Sequence, residues 1–211
     1  MAKQIVITKI GETSDFRCND SRKRIVIIAG PGGIGKNAMV NALLKCNPQT
    51  FEKIVSYTSR DRRPGEKNGV DYNYISKDKF EDLIKNKEVF EFTEIYGYYR
   101  GMCKPAIDKI LAKGKIAIKD TDLIGVQALR RAYPNKVLSI FLTTSRTEIA
   151  KRLLSRGDRE EDRMRRLADY DTQMKIKHHF DYIVDNTTSL DETVQKVHDI
   201  LIKEGICQKN S

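Results

Sequence analysis

No apolar run in this 211-residue sequence is long enough to cross a bilayer; stretches such as Ile25 to Ala29 and Ile140 to Leu142 are far too short. The N-terminal MAKQIVITKIGETSD has no apolar core followed by a small-residue cleavage site, so no secretory signal is expected. Cysteine is scarce: Cys18, Cys46, Cys103 and Cys207 are widely spread and form no CxxC pair. That spacing argues against a zinc site or a disulfide framework and fits a reducing, cytoplasmic setting. Internal repeats and low-complexity tracts are absent as well, which excludes solenoid and linker architectures.

Charge, by contrast, is plentiful. Lys plus Arg number 39 against 29 Asp plus Glu, a formal net charge of +10. Such an excess implies a polyanionic partner: nucleic acid, an acidic membrane or a phosphorylated small molecule. The arginines gather at Arg60 to Arg63 and at Arg152 to Arg166, with acidic residues between them. Interleaving of that kind fits discrete phosphate contacts better than a nucleic-acid stripe, so neither nucleic acid nor membrane is expected as partner.

The length suits one domain, or one domain with mobile sub-domains. Arg24 to Gly30 is a short continuous apolar run, the mark of a buried parallel strand. Gly35 to Cys46 follows with Met39, Val40, Leu43 and Leu44 at helical spacing. Further strands are expected at Lys53 to Ser59, Val89 to Tyr99, Ile116 to Ile118, Val137 to Thr143 and Tyr182 to Val184. Helices are expected at Pro105 to Lys113, Leu123 to Ala132, Arg146 to Tyr170 with a break at Gly157, and Leu190 to Lys203 capped by Gly205. Lys3 to Ile10 reads as an edge strand and Gly11 to Ser21 as polar and turn-rich. The alternation predicts an α/β fold with a parallel, doubly wound sheet, into which a small β-rich lobe is inserted.

The first strand runs straight into Gly30-Pro31-Gly32-Gly33-Ile34-Gly35-Lys36, the GxxxxGK of a Walker A loop. Its glycines permit tight turns that aim successive N–H groups at phosphate oxygens, and the following helix adds its positive end. Lys36 supplies a point charge to the β- and γ-phosphates. After that lysine the motif calls for Ser or Thr as a magnesium ligand, but Asn37 stands there. Its amide oxygen is a candidate ligand set one bond further out.

Here the sequence resembles guanylate kinase. The resemblance rests on GPGGIGK (30 to 36), SYTSRDRRPGEKNGVDYNY (56 to 74), FEFTEIYGYYRG (90 to 101), Asp120-Thr121-Asp122 and SIFLTTSRTEIAKRLLSRG (139 to 157). It implies a P-loop NTPase three-layer fold for residues 24–204. The core is 24–55 and 103–204, the monophosphate-binding lobe about 56–102 and a helical lid about 152–170. Residues 1–23 are then an N-terminal extension and 205–211 a tail. The implied reaction is phosphorylation of GMP or dGMP by ATP with Mg²⁺, in a monomer or homodimer.

The resemblance also assigns roles. ATP falls to Gly30 through Asn37, GMP phosphate to Arg60, Arg63, Tyr72, Tyr99 and Arg100, and guanine to Glu91, Ser56 and Asp122. A carboxylate suits guanine because N1–H and the 2-amino group are adjacent donors. Lys36, Arg152, Arg156 and Arg166 are the implied catalytic charges, and Asn37 with Asp120 the magnesium ligands. Departures cluster on the acceptor side. Arg100 replaces the pattern's second tyrosine, Ile124 its glutamine, and Met102 its Ser/Thr, so Met102→Ser is expected to improve GMP affinity. Another monophosphate acceptor, or a binding module with little catalysis, are the competing readings. Lys119 interrupts the apolar run of its strand.

Overall fold

The computed structural model describes residues 3–4, 16–18, 23–95, 97–157 and 159–209. The first half of the chain contains β1 (Lys3–Gln4), β2 (Phe16–Cys18), β3 (Ile25–Ala29), α1 (Lys36–Cys46) and β4 (Phe51–Lys53). It continues with β5 (Tyr57–Thr58), β6 (Asn73–Tyr74), α2 (Lys77–Lys85), β7 (Val89–Ile95) and β8 (Tyr98–Cys103). The second half holds α3 (Lys104–Ala112), β9 (Ile116–Asp120), α4 (Leu123–Ala132), β10 (Val137–Thr143) and α5 (Arg146–Ser155). It closes with α6 (Glu160–Lys175), β11 (Tyr182–Asp185), α7 (Leu190–Lys203) and β12 (Cys207–Lys209).

Six strands form one sheet in the order β1-β11-β10-β3-β9-β4, and every pairing in it is parallel. Strand β3 shows why helices must cover both faces. All five of its residues are buried. Val26 and Ile28 join the core that includes Met39 of α1, Leu153 of α5 and Val197 of α7. Ile25, Ile27 and Ala29 point the other way, into the core with Ile107 of α3 and Val126 of α4. Three layers result, as the period of two along a buried strand requires. The carboxyl ends of β3, β9 and β10 then share one edge, where open α/β sheets hold ligands.

The lobe differs from the sequence expectation in two places. Lys53 to Ser59 is not one strand. Ile54 N still donates to Ile118 O of the main sheet, but Asn73 N donates to Ser56 O, so the chain changes ladders between them. Val89 to Tyr99 is a hairpin rather than a single strand, β7 and β8 pairing antiparallel around a turn with Gly97 at φ 80°. The lobe also carries a helix that was not expected. In α2, Ser76 caps Lys79 N, and Phe80 is its single buried side chain. Its local signal is nonetheless present, since Phe80, Leu83 and Ile84 fall at helical spacing behind the Ser76 cap.

At the termini, β1 pairs with β11 at the sheet edge, in line with an edge strand; residues 5–10 of that expectation lie outside the described set. Phe16–Cys18, read as part of a turn-rich stretch, is a strand that pairs with Cys207–Lys209 of the tail. Pairing with a partner far off in sequence carries no local signal. The break between α5 and α6 does fall at Gly157, φ 74°, and Gly205 at φ 67° ends α7.

Candidate active site

The loop between β3 and α1 is braced from several sides. At Gly30, φ 140°, a β-carbon would lie 2.6 Å from the Leu142 carbonyl oxygen, so only glycine lets the chain leave the sheet here. Ile34 is fully buried, and its carbonyl accepts from Asn186 Nδ2 at 2.6 Å and from an Arg152 guanidinium nitrogen at 3.3 Å. Thr193 Oγ1 donates to Asn186 Oδ1 at 2.9 Å, and Arg152 also donates to Asn186 O at 2.8 Å and to Glu148 Oε1 at 3.0 Å. Lys36 Nζ folds back onto the carbonyls of Gly30 (2.8 Å) and Pro31 (3.1 Å). Burial lowers its pKa, and Asp120 opposes the shift. The arm of Arg166 lies over the loop, its Cγ 3.2 Å from where a β-carbon on Gly32 would be. Gly30, Gly32, Lys36 and Arg166 line a cavity of about 240 Å³ with Thr121, Asp122, Asp169 and Gln173.

A second cavity of about 720 Å³ lies between the core and the lobe. The core contributes Asn37, Lys119, Asp120, Thr121 and Asp122; the lobe contributes Ser56, Tyr72, Glu91 and Arg100. Thr121 and Asp122 line both cavities, so the two adjoin at the end of β9. Glu91 is half-buried, and Thr121 Oγ1 lies 3.0 and 2.9 Å from its two carboxylate oxygens. Burial pushes the Glu91 pKa up, with the Thr121 hydroxyl pulling against it. This pair sits against the first turn of α4. A β-carbon on Gly125 would come within 2.4 Å of Thr121 Oγ1 and 2.5 Å of Glu91 Oε2, so any larger residue would push this pair aside. Asp122 caps the same turn, its Oδ1 accepting from Gly125 N at 3.0 Å. The Arg100 guanidinium stacks 5.0 Å from the Tyr72 ring centre.

Of the residues expected on the acceptor side, Ser56, Tyr72, Glu91, Arg100 and Asp122 share this cavity, together with both expected metal ligands, Asn37 and Asp120. Arg60, Arg63 and Tyr99 are not among its lining residues. Arg60 pairs with both Glu66 oxygens at 2.7 and 3.0 Å, while Arg63 N and Tyr74 OH each donate to Glu66 Oε2 at 2.8 Å. The Arg60 hydrogen bonds, foremost, hold the Glu66 pKa down at about 2. Tyr99 points to the opposite face of its strand from Arg100 and stacks on Phe80 at 5.2 Å. Among the expected catalytic residues, Lys36 and Arg166 meet in the smaller cavity. Arg152 braces the loop instead, and Arg156 is exposed at the end of α5, lining neither cavity. Met102 is 1% exposed and packs in the core with Ile27 and Ile54. A serine there would bury a hydroxyl in apolar surroundings, so the expected gain in GMP affinity is withdrawn.

Sequence reading passed over Thr121, Gly125, Asn186 and Thr193. Asn186 had a usable signal, because it follows β11 at the carboxyl edge where ligands bind. Thr121 and Gly125 had none, since their importance lies in the approach of Glu91 from a different element.

A Walker-type loop on a parallel sheet, with a lobe walling a second cavity beside it, defines a P-loop protein built to hold two ligands next to each other. A family model described as "Guanylate kinase" matches residues 22–204, and the chain belongs to that family. Its relatives include the guanylate kinase of Shewanella violacea, 34% identical over 79% of this chain and 81% of that protein. The guanylate kinase of Idiomarina loihiensis is 37% identical over 77% and 78%. Among solved structures, guanylate kinase from Anaplasma phagocytophilum superposes with a TM-score of 0.60, at 24% identity over 89% of each chain, a likeness of fold.

Proposed function

We infer that this protein is a nucleoside monophosphate kinase that transfers the γ-phosphoryl group of ATP to GMP or dGMP. The observation that carries the reading is the meeting of the two cavities at Thr121 and Asp122, with a phosphate cradle on one side and the Glu91 carboxylate on the other. ATP occupies the cradle, where the glycines and Lys36 of the loop offer backbone N–H groups. Lys36 exchanges the carbonyls of Gly30 and Pro31 for the β- and γ-oxygens. GMP occupies the larger cavity, its base on Glu91 and its phosphate on Tyr72 and Arg100, with the Arg60 guanidinium released from Glu66 and the Arg63 side chain joining it.

A phosphate oxygen of GMP then attacks the γ-phosphorus in line. The bond from that phosphorus to the β–γ bridging oxygen breaks, and ADP departs with the electron pair. No side chain acts as nucleophile; positioning and charge neutralisation carry the step. Arg166 stands beside the transferring group, while Arg152 holds the loop, and Arg156 reaches the site only if α5 and α6 close over it.

Asn37 and Asp120 supply oxygen donors that line one cavity beside the loop, a set suited to a small hard cation that keeps most of its ligands as water and phosphate. Magnesium held by Asn37 and Asp120 would supply neutralisation of phosphate charge. Among the described residues no helix is long and apolar enough to span a membrane. The cytoplasm, no nucleic-acid or membrane partner, and a monomer or homodimer complete the reading. An assay of ADP release against GMP, dGMP, AMP, CMP and UMP tests it. GMP and dGMP should lead, and an equal response to all five, or none, would overturn the assignment.

A further inference from the structure

The Glu91 carboxylate accounts for only part of a guanine edge. That edge presents two donors, N1–H and the 2-amino group, followed by one acceptor, O6. A site that reads all three needs an acceptor and a donor side by side. The loop-facing hydroxyl that the family pattern places opposite Glu91 is absent, because Met102 stands there and lies in the core. Yet the cavity does hold a strong donor close to Glu91. Lys119 lies near the end of β9, is half-buried and lines the same cavity.

We propose that Lys119 is a specificity residue, its ammonium donating to O6 of a 6-oxopurine while Glu91 takes N1–H and the 2-amino group. The inference rests on the guanylate reading and deepens it. The ammonium has three N–H donors, and among the described residues its hydrogen-bond acceptor is Ser56 Oγ at 2.9 Å, which leaves donors for a ligand. Ser56 thereby aims the ammonium, which makes it a positioning residue for this contact. Glu91 and Lys119 lie close enough to affect each other electrostatically, and Lys53, Arg100 and Asp120 also act on the lysine. Half-burying an ammonium in this strand is a cost a leucine or methionine would not carry, and an O6 contact supplies a reason for it. Adenine brings an amino group to the position of O6, so donor would face donor, and the base is rejected by an unmet pair rather than by size.

The test compares Lys119→Met with the unaltered protein on two probes. GMP carries O6 and N1–H; the 5′-monophosphate of 2-aminopurine riboside lacks both, keeps the 2-amino group, ribose and phosphate, and reports its own binding by fluorescence. Lys119→Met should weaken GMP roughly 10- to 100-fold, in KM and in displacement of the fluorescent probe, as expected for one charge-assisted hydrogen bond. The ATP KM and the probe's own Kd should hold. IMP, which shares O6, should lose the same factor as GMP. Lys119→Gln keeps an N–H donor without the charge and should recover part of the loss, provided both variants melt within a few degrees of the unaltered protein. Equal weakening of GMP and of the 2-aminopurine nucleotide would place the lysine on phosphate or ribose and overturn the proposal. No change in GMP affinity would overturn it too. If the unaltered protein does not prefer GMP to AMP, the guanylate reading itself fails and takes this inference with it.

Discussion

On the donor side a ligand meets mostly backbone; on the acceptor side it meets mostly side chains. The loop from Gly30 to Lys36 gets its shape from a glycine that no other residue can replace and from Asn186 and Arg152 gripping the Ile34 carbonyl. A side chain can change beside such a loop without moving the N–H groups, which is how Asn37 can stand where Ser or Thr is usual. The acceptor cavity depends on what projects into it: Glu91, Tyr72, Arg100 and Lys119 from separate strands and turns. Arg60, expected to serve this side, pairs with Glu66. Departures from the family pattern therefore gather on this side, where one side chain can take over another's contact.

The sharpest test of the comparison is removal of the lysine of the loop itself, which carries charge into the cradle. Lys36→Ala should leave the fold intact by circular dichroism and lower kcat about 10²- to 10³-fold, because a preorganised charge at the transferring phosphate is lost. A variant retaining more than a tenth of the rate would mean that backbone alone suffices. Next in size is Met102→Ser, which sorts core from site. Truncating this buried side chain and leaving a hydroxyl without a partner should cost about 2–4 kcal/mol in a urea melt, with GMP KM unchanged. Improved GMP affinity would restore Met102 to the acceptor site.

Arg60→Ala should raise the GMP KM by about 10- to 100-fold, as expected for loss of a charge-assisted phosphate contact, and leave ATP binding alone. Loss of ATP binding would show that the two sides are not separable. The smallest effect expected is at Asn37. Asn37→Thr should lower the magnesium needed for half-maximal rate by a few-fold, with ATP affinity in EDTA unchanged, since the hydroxyl reaches the ion without folding back and the cradle is backbone. An unaltered magnesium dependence would make the amide a full substitute.

The order of strands and helices in the core could be read directly from the chain. Buried parallel strands are short unbroken apolar runs, and glycine at 157 and 205 marks helix ends through its access to positive φ. The phosphate loop was equally legible, because its function lies in contiguous residues. The lobe was less so. Helix α2 does show Phe80, Leu83 and Ile84 at helical spacing, but the chain changes ladders at Ile54 to Ser56 for reasons that lie in partners at Ile118 and Asn73.

What the amino-acid sequence determined by itself is the family, the P-loop and the pool of charged side chains available for phosphate. Tertiary structure alone decided which of those charges share a cavity. It set Arg152 under the loop and Tyr99 against Phe80, and it brought Lys119 and Glu91 together from β9 and β7. The physical reason is that charge and periodicity are local properties of the chain, while a binding site is a set of distances between residues far apart in it.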